Sequence, residues 1–483
     1  MKFNKNIGYN LLLALLILCS SCAQDEVAFS NTDYLFNAIQ IQKFDYAQRV
    51  GVGKIYQGKY SADKDSIYFD VTYFPDEKAP TYQDWVMQGS VFKGAKVVPG
   101  LSGVKDLKDP VNVTVYAPDG VTKREVVIVT KIYEIPYGEL EKGFGRYNKL
   151  WTKSAADLGG WVANAQTSLV VVGDELIVNN DTKDFLVYDK RTGLKKDKTV
   201  PVPAGNKSHI FALAVDKNDV LHAVSFINAN TTDIFKIYRW SSGLDKEPEV
   251  FYQVSGTDIQ TTKNTGMGRS LSICGDTYGD AQLMVALDGY GGAESRIVRI
   301  PVVNGVPMQM PDVFEAPNVS WTWRGKGIAA SPTGKTPYFA LSLGSPQGLV
   351  YYDNAGEHKF VTNAANSNFL NKVAVSGACY FEFNHAKYLA ASSCSWPGDL
   401  RMLIFSVDDP TLISSNKSEN AERYSILNPF CENWEIKSNG NTNGTGDITV
   451  QIQRDGKTAL VYMLDTNTGI MAYELTNVGS SSK

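Results

Sequence analysis

The sequence predicts an all-β protein: an immunoglobulin-like β-sandwich followed by a β-propeller of about six blades. Three observations carry this. Helical periodicity is nearly absent, and the apolar stretches are short, β-branched or aromatic, and bounded by Gly, Asn, Asp or Pro. With 41 Gly and 19 Pro in 483 residues, the composition is rich in turns. From residue 150 onward one pattern recurs: strand, turn, strand, polar loop, third strand.

The sandwich is assigned to 28–135, with strands expected at 38–43, 50–60, 66–74, 93–98, 111–116 and 124–130. Ile67-Tyr68-Phe69-Asp70-Val71-Thr72-Tyr73 mixes apolar and polar positions as a half-buried strand does. Ala117-Pro118-Asp119-Gly120 is a tight turn joining the last two strands. The Cys–Trp–Cys core of antibody domains is missing, since this stretch holds no cysteine.

The propeller is assigned to 136–483. Its units fall at 168–189, 211–240, 271–300, 327–353, 372–407 and 448–475. Four-stranded repeats of about 40–50 residues mark propellers, and the longer spacing here implies inserted loops. The sixth unit ends without a fourth strand, and residues 146–151 can supply it and join the two ends of the ring. Seven blades, or two separate sandwiches, are the competing readings.

A propeller sorts its loops by face. Turns between first and second strands, at Gly173, Lys217, Pro332 and Arg454, are short, and their face is expected to be structural. The opposite face collects longer loops holding Trp161, Trp321, Trp323, Trp396 and Trp434. Around them lie Asn179, Asn180, Asn228, Asn230, Asp465 and Asn467. Indole rings stack on sugar or aromatic faces, and flanking Asn, Asp and Arg add directional hydrogen bonds. Trp321, Trp323, Arg324, Trp396, Trp434, Tyr290, Asp288 and Asp399 are therefore the candidate ligand-binding residues. The competing role for each tryptophan is to plug a gap between blades.

Catalytic signatures are few. The four histidines, His209, His222, His358 and His385, have no metal-ligand spacing, and His222 is expected in the core. No HExxH, GxSxG, P-loop or GxGxxG occurs, and nothing calls for a cofactor or a metal. Asp288, Glu294, Asp399, Glu432 and Glu435 fall on the loop-rich face, where a glycosidase would need a carboxylate pair. Cys379 and Cys394 either face each other across a hairpin or are buried free thiols. A net charge of −4 argues against nucleic acid as a partner.

Residues 1–21 read as a secretory signal: Lys2 and Lys5, a short apolar run, then small residues before Cys22. Leu18-Cys19-Ser20-Ser21-Cys22 resembles a bacterial lipobox with Cys22 as the lipidated residue, although Cys19 stands where Leu is usual. Simple cleavage after Ser21 is the alternative. Residues 22–27 form the tether, and Ala23-Gln24-Asp25-Glu26 resembles the surface-export signal of Bacteroidetes lipoproteins.

Taken with Val111-Asn112-Val113-Thr114-Val115-Tyr116 and the hairpin that continues to residue 132, the chain resembles surface lipoproteins of gut Bacteroidetes encoded beside Sus-type uptake systems. The resemblance implies an immunoglobulin-like module of an uncharacterised family acting as a spacer, with no catalytic residues to carry over. It implies an outer-membrane lipoprotein facing the cell exterior, held to the membrane through its lipid alone. It also implies capture of a polysaccharide or oligopeptide beside a SusC/SusD-like TonB-dependent transporter. A propeller hydrolase or lyase, and a structural subunit docked on the transporter, are the alternatives.

Overall fold

The computed structural model describes residues 34–476 apart from 74–76, 135–139, 141–146, 204–207, 229–231, 260, 262–264, 290–293, 317–320, 322–323, 335–338, 344–347, 353–357, 364–374, 385, 395–399, 411–412, 414–424, 428–444 and 455. The described residues are nearly all β, with one short helix, Ala155–Leu158. No helix among them is long and apolar enough to cross a membrane.

The N-terminal module is two sheets around one core. One sheet runs Val50–Gln57, Phe36–Asp45, Trp85–Val91, Val104–Lys105. The other runs Lys59–Tyr60, Ser66–Tyr73, Lys123–Glu134, Val111–Tyr116, Lys96–Val98. Side chains from both sheets share a single apolar cluster around Trp85, Phe69 and Val115. Strand Ser66–Tyr73 pairs parallel with Lys123–Glu134, Ile67 lying opposite Ile128. Asp119 closes the expected hairpin by accepting from the backbone N–H groups of Val121 and Thr122, both at 2.8 Å.

Strand Trp85–Val91 was not expected, because Gln88-Gly89-Ser90 has weak strand propensity. Pairing overrides it: Gly89 lies opposite Ile39, packed so tightly under Phe36 and Leu101 that a Cβ would sit within 3.0 Å of both.

Among the described residues six further sheets follow, one for each sequence unit. Their innermost strands are Leu169–Val172, Ala212–Val215, Ser272–Gly275, Arg324–Ile328, Val375–Phe383 and Gly446–Ile452. Each contacts the next, and the sixth returns to the first, so the sheets stand in a propeller-like ring. Six apolar clusters fill the gaps, each drawn from two neighbouring sheets. This explains the unbroken apolar runs. Leu169 and Val171 enter the gap toward the sixth sheet, while Val170 and Val172 enter the gap toward the second. A strand buried on both faces has no polar side to alternate with.

The ring is closed by strand exchange between its ends. Tyr147–Ser154 is the outer strand of the sixth sheet, pairing antiparallel with Gly469–Thr476, so that Trp151 lies opposite Ala472. The closing strand thus falls where the missing fourth strand required one.

The short-turn face is not merely structural, because the sandwich docks on it. The Leu244 N–H donates to the Ala62 carbonyl at 3.1 Å, and Arg124 donates to the Ser242 carbonyl at 3.2 Å. The Arg454 guanidinium lies 3.8 Å over the Tyr68 ring, and its Nε is 3.8 Å from an Asp70 oxygen. Short turns leave the rim low, which lets a second module approach the ring's axis. Cys379 sits opposite Ala390 rather than Cys394 and is a free thiol. Burial pushes its pKa up to about 12.

Candidate functional site

The innermost strands begin at the loop-rich face, and their first residues surround the ring's axis. There a narrow pocket of ≈20 Å3, room for about one water, is lined by Ser168, Phe211, Arg269, Ser270, Lys326 and Asp447 among others. The Ser168 hydroxyl donates to an Asp447 oxygen at 2.5 Å, linking the first and sixth sheets across 279 residues of chain. The Lys326 ammonium lies 3.7 Å from the other Asp447 oxygen. Only the fold brings these three residues together.

Beside this pocket stands a cation–aromatic group. The Arg269 guanidinium lies 4.8 Å over the Phe211 ring and 4.6 Å over Phe226. Those rings meet edge to face at 5.3 Å. His209 stacks on Phe211 at 5.5 Å, and its Nδ1 contacts Asp181. Asp288 holds Arg269 from behind, with 3.1 Å between Arg269 Nε and Asp288 Oδ2. His209 keeps 54% of its side chain exposed, whereas Asp288 is 1% exposed. The stack thus presents a planar cation and aromatic faces near the axis, anchored by a buried carboxylate.

The candidate residues divide. Asp288 is at this site, as the support of Arg269 rather than as an exposed acceptor. Trp321 is not on the surface: it is fully buried, donates its indole N–H to the Leu287 carbonyl, and packs in the gap between the third and fourth sheets. For Trp321 the gap-plugging role therefore holds and the ligand-stacking role does not. Arg324 begins the innermost strand of the fourth sheet, opposite Leu343, and its side chain lies outside the described residues. Tyr290, Trp323, Trp396, Asp399 and Trp434 also lie outside them, as do Cys22, Asn230, Glu432 and Glu435.

Other polar residues of this face turn inward. Asn179 is fully buried and bonds the N–H groups of Thr167 and Ser168, both at 2.8 Å, and the carbonyl of Ile210 at 2.7 Å. Asp465 is fully buried as well. Trp161 is half-buried and donates to the Tyr188 hydroxyl at 3.0 Å. Glu294 is 6% exposed; burial alone would raise its pKa, but its bonds to Arg296 and to backbone N–H groups hold it below the usual range. His222 is in the core as expected, its pKa driven down to about 3 by burial and nearby Arg239. Among the described residues of the axial pocket Asp447 is the one carboxylate.

Arg269, Phe211, Phe226, Lys326 and Asp447 were not singled out from sequence. Arg269 had a usable signal: a lone arginine in Gly266-Met267-Gly268-Arg269-Ser270, just before an innermost strand on the loop-rich face.

Comparison with known proteins defines the architecture. No protein-family model matches the chain, and no curated protein matches it. Among solved structures, the chain is similar to a DUF4623 family protein from Bacteroides eggerthii. The likeness has 13% identity and a TM-score of 0.51, covering 91% of this chain and 98% of that one. The two folds therefore correspond over almost their whole length. Weaker likenesses are to an auxiliary nutrient binding protein from Bacteroides thetaiotaomicron and to the WD40 repeats of RRP9. The first has 11% identity and a TM-score of 0.37, covering 83% of this chain and 96% of that one. The second has 10% identity and a TM-score of 0.35, covering 70% and 100%.

Proposed function

We propose that the chain is an outer-membrane surface lipoprotein, anchored through Cys22, that captures a glycan or an oligopeptide beside a SusC/SusD-like TonB-dependent transporter. In this reading the ring is a six-bladed β-propeller and the sandwich is immunoglobulin-like. The observation that carries it is the Arg269 stack at the axis of the loop-rich face. His209, backed by Phe211, offers an exposed ring face to a sugar or an aromatic side chain, and Arg269 adds a planar cation beside it. The stack orients a ligand through ring faces and a fixed cation, which supports capture. Trp323, Trp396 and Trp434 belong to the same face by chain position and extend the proposed surface.

Two experiments test this reading. Affinity electrophoresis and calorimetry against a polysaccharide and peptide panel will show Arg269→Ala losing at least tenfold in affinity, about 1.4 kcal/mol, for at least one ligand of the panel, with no product released. Unchanged binding of every panel ligand in Arg269→Ala, or turnover of the ligand, excludes it. Separately, Cys22→Ser will move the protein from the membrane fraction to the soluble one, because lipid chains supply the anchoring free energy. A Cys22→Ser variant that stays membrane-bound excludes the anchor.

A further inference from the structure

The short-turn face holds a space of its own. Between the docked sandwich and the ring lies a chamber of ≈1620 Å3 on the ring's axis. Small-molecule sites occupy about 300–1,000 Å3, so this volume suits an oligomer. Lys326 and Asp447 line both this chamber and the axial pocket of the opposite face, and their ion pair stands between the two.

The roof follows from strand alternation. Ser66–Tyr73 turns Ile67, Phe69 and Val71 into the sandwich core, each fully buried, and so turns Tyr68, Asp70 and Thr72 toward the ring. Lys131 and Tyr133 stand beside Asp70 and Thr72 on the parallel neighbour. The floor is the far halves of the innermost strands, with small side chains such as Ala214, Ser272 and Thr449. The joint that holds roof to floor lies over the sixth and second sheets, at Arg454 and at Ser242–Leu244. Cys274, Ala329 and Tyr380 extend the lining over the third, fourth and fifth sheets.

Charge decides the ligand class. Cations and carboxylates along the walls are equal in number, and several of them pair: Asp70 with Arg454, Asp174 with Lys190 at 2.8 Å, Glu175 with Lys196 at 3.4 Å. A wall without excess charge gives a polyanion nothing to neutralise. Half-buried tyrosines from both modules, Tyr133 and Tyr380, supply ring faces. We infer that this chamber is a second binding site, shared by both modules, for an uncharged oligosaccharide. The sandwich is then a wall of a binding site and not only a spacer.

The test titrates the full-length mature protein with neutral gluco-, manno- and xylo-oligosaccharides of increasing length. Uronic-acid oligomers and peptides are the other arms. Ser272→Trp and Thr449→Trp each fill the floor from a different sheet, and Arg269→Ala disables the opposite face. Both filled variants should lose at least tenfold in affinity for the neutral oligomer, while Arg269→Ala retains it. In the wild type, the same oligomer should slow amide exchange at 271–275 and 447–452, a readout independent of how the variants fold. Loss in Arg269→Ala alone, with exchange slowed only at the loop-rich face, overturns the chamber and upholds capture at that face. Preference for uronic acids or peptides overturns the ligand class, and a wild type that binds no neutral oligomer overturns the inference.

Discussion

Trp321→Ala is expected to destabilise the ring by about 3–5 kcal/mol, the usual cost of deleting a buried tryptophan. The side chain is fully buried and packs with Met284, Ile297 and Ala340 in the gap between the third and fourth sheets. Its backbone also bridges to Glu294, at 2.8 and 3.0 Å. Truncation leaves a cavity and an unmatched Leu287 carbonyl. The melting midpoint should fall by roughly 5–10 °C, with ligand affinity unchanged at temperatures where the protein stays folded. Gly325 sharpens the test, because a Cβ there would collide with the Trp321 indole ring. Gly325→Ala alone should therefore cost about 1–3 kcal/mol through overpacking. In the Trp321→Ala background the same methyl enters free space, and its cost should vanish or reverse. Residues in contact show such coupling, and distant ones do not. Additive melting shifts in the double-mutant cycle would place the ring elsewhere than between these sheets.

Trp321 also shows where sequence reading ends. A tryptophan among Ser, Thr, Arg and Gly has the composition of a ligand platform and of a gap plug alike. What decides is a slot, and the slot is made by Gly325, four positions on, which was there to be read. The ring itself was legible because its physics is repetitive. Strands serving two gaps must be apolar on both faces, and a unit lacking its last strand must borrow one, as the sixth does from Tyr147–Ser154. The site was less legible because its members meet through closure of the ring. Ser168 and Asp447 are 279 residues apart and bond only when the first and sixth sheets are adjacent. Nothing local marks either as paired. The chamber was illegible for a further reason: it depends on how one module sits on the other, and no strand pattern encodes that.

The seating of the sandwich has its own signature in pH. Lys64 sits at φ 63 in the tip between Lys59–Tyr60 and Ser66–Tyr73, is 4% exposed, and places its ammonium 5.3 Å over the Tyr60 ring. Burial lowers its pKa from 10.5 to about 8; Asp216 and Asp219 of the ring oppose the shift, and Arg239 and Arg124 add to it. In the unfolded chain the amine keeps its proton up to its ordinary pKa, whereas in the folded protein it releases it near pH 8. Between those values the folded state binds fewer protons, so stability rises with pH. The gain from this one group is roughly 2 kcal/mol between pH 7 and 9.5. Tyr60 and Tyr278, whose pKa values burial raises, oppose the trend only once unfolded tyrosine ionises near pH 10. Lys64→Met keeps the packing and removes the proton, so its melting midpoint should lack this upward slope. The difference between variant and wild type should be largest at pH 7 and shrink toward pH 9.5. Asp216 stays satisfied in the variant by Thr277 and by the N–H groups of Asn218 and Val220. Parallel melting profiles for the two proteins would mean that the Lys64 amine reaches water in the native state. The sandwich would then not be seated on the ring, and the chamber between them would have no roof.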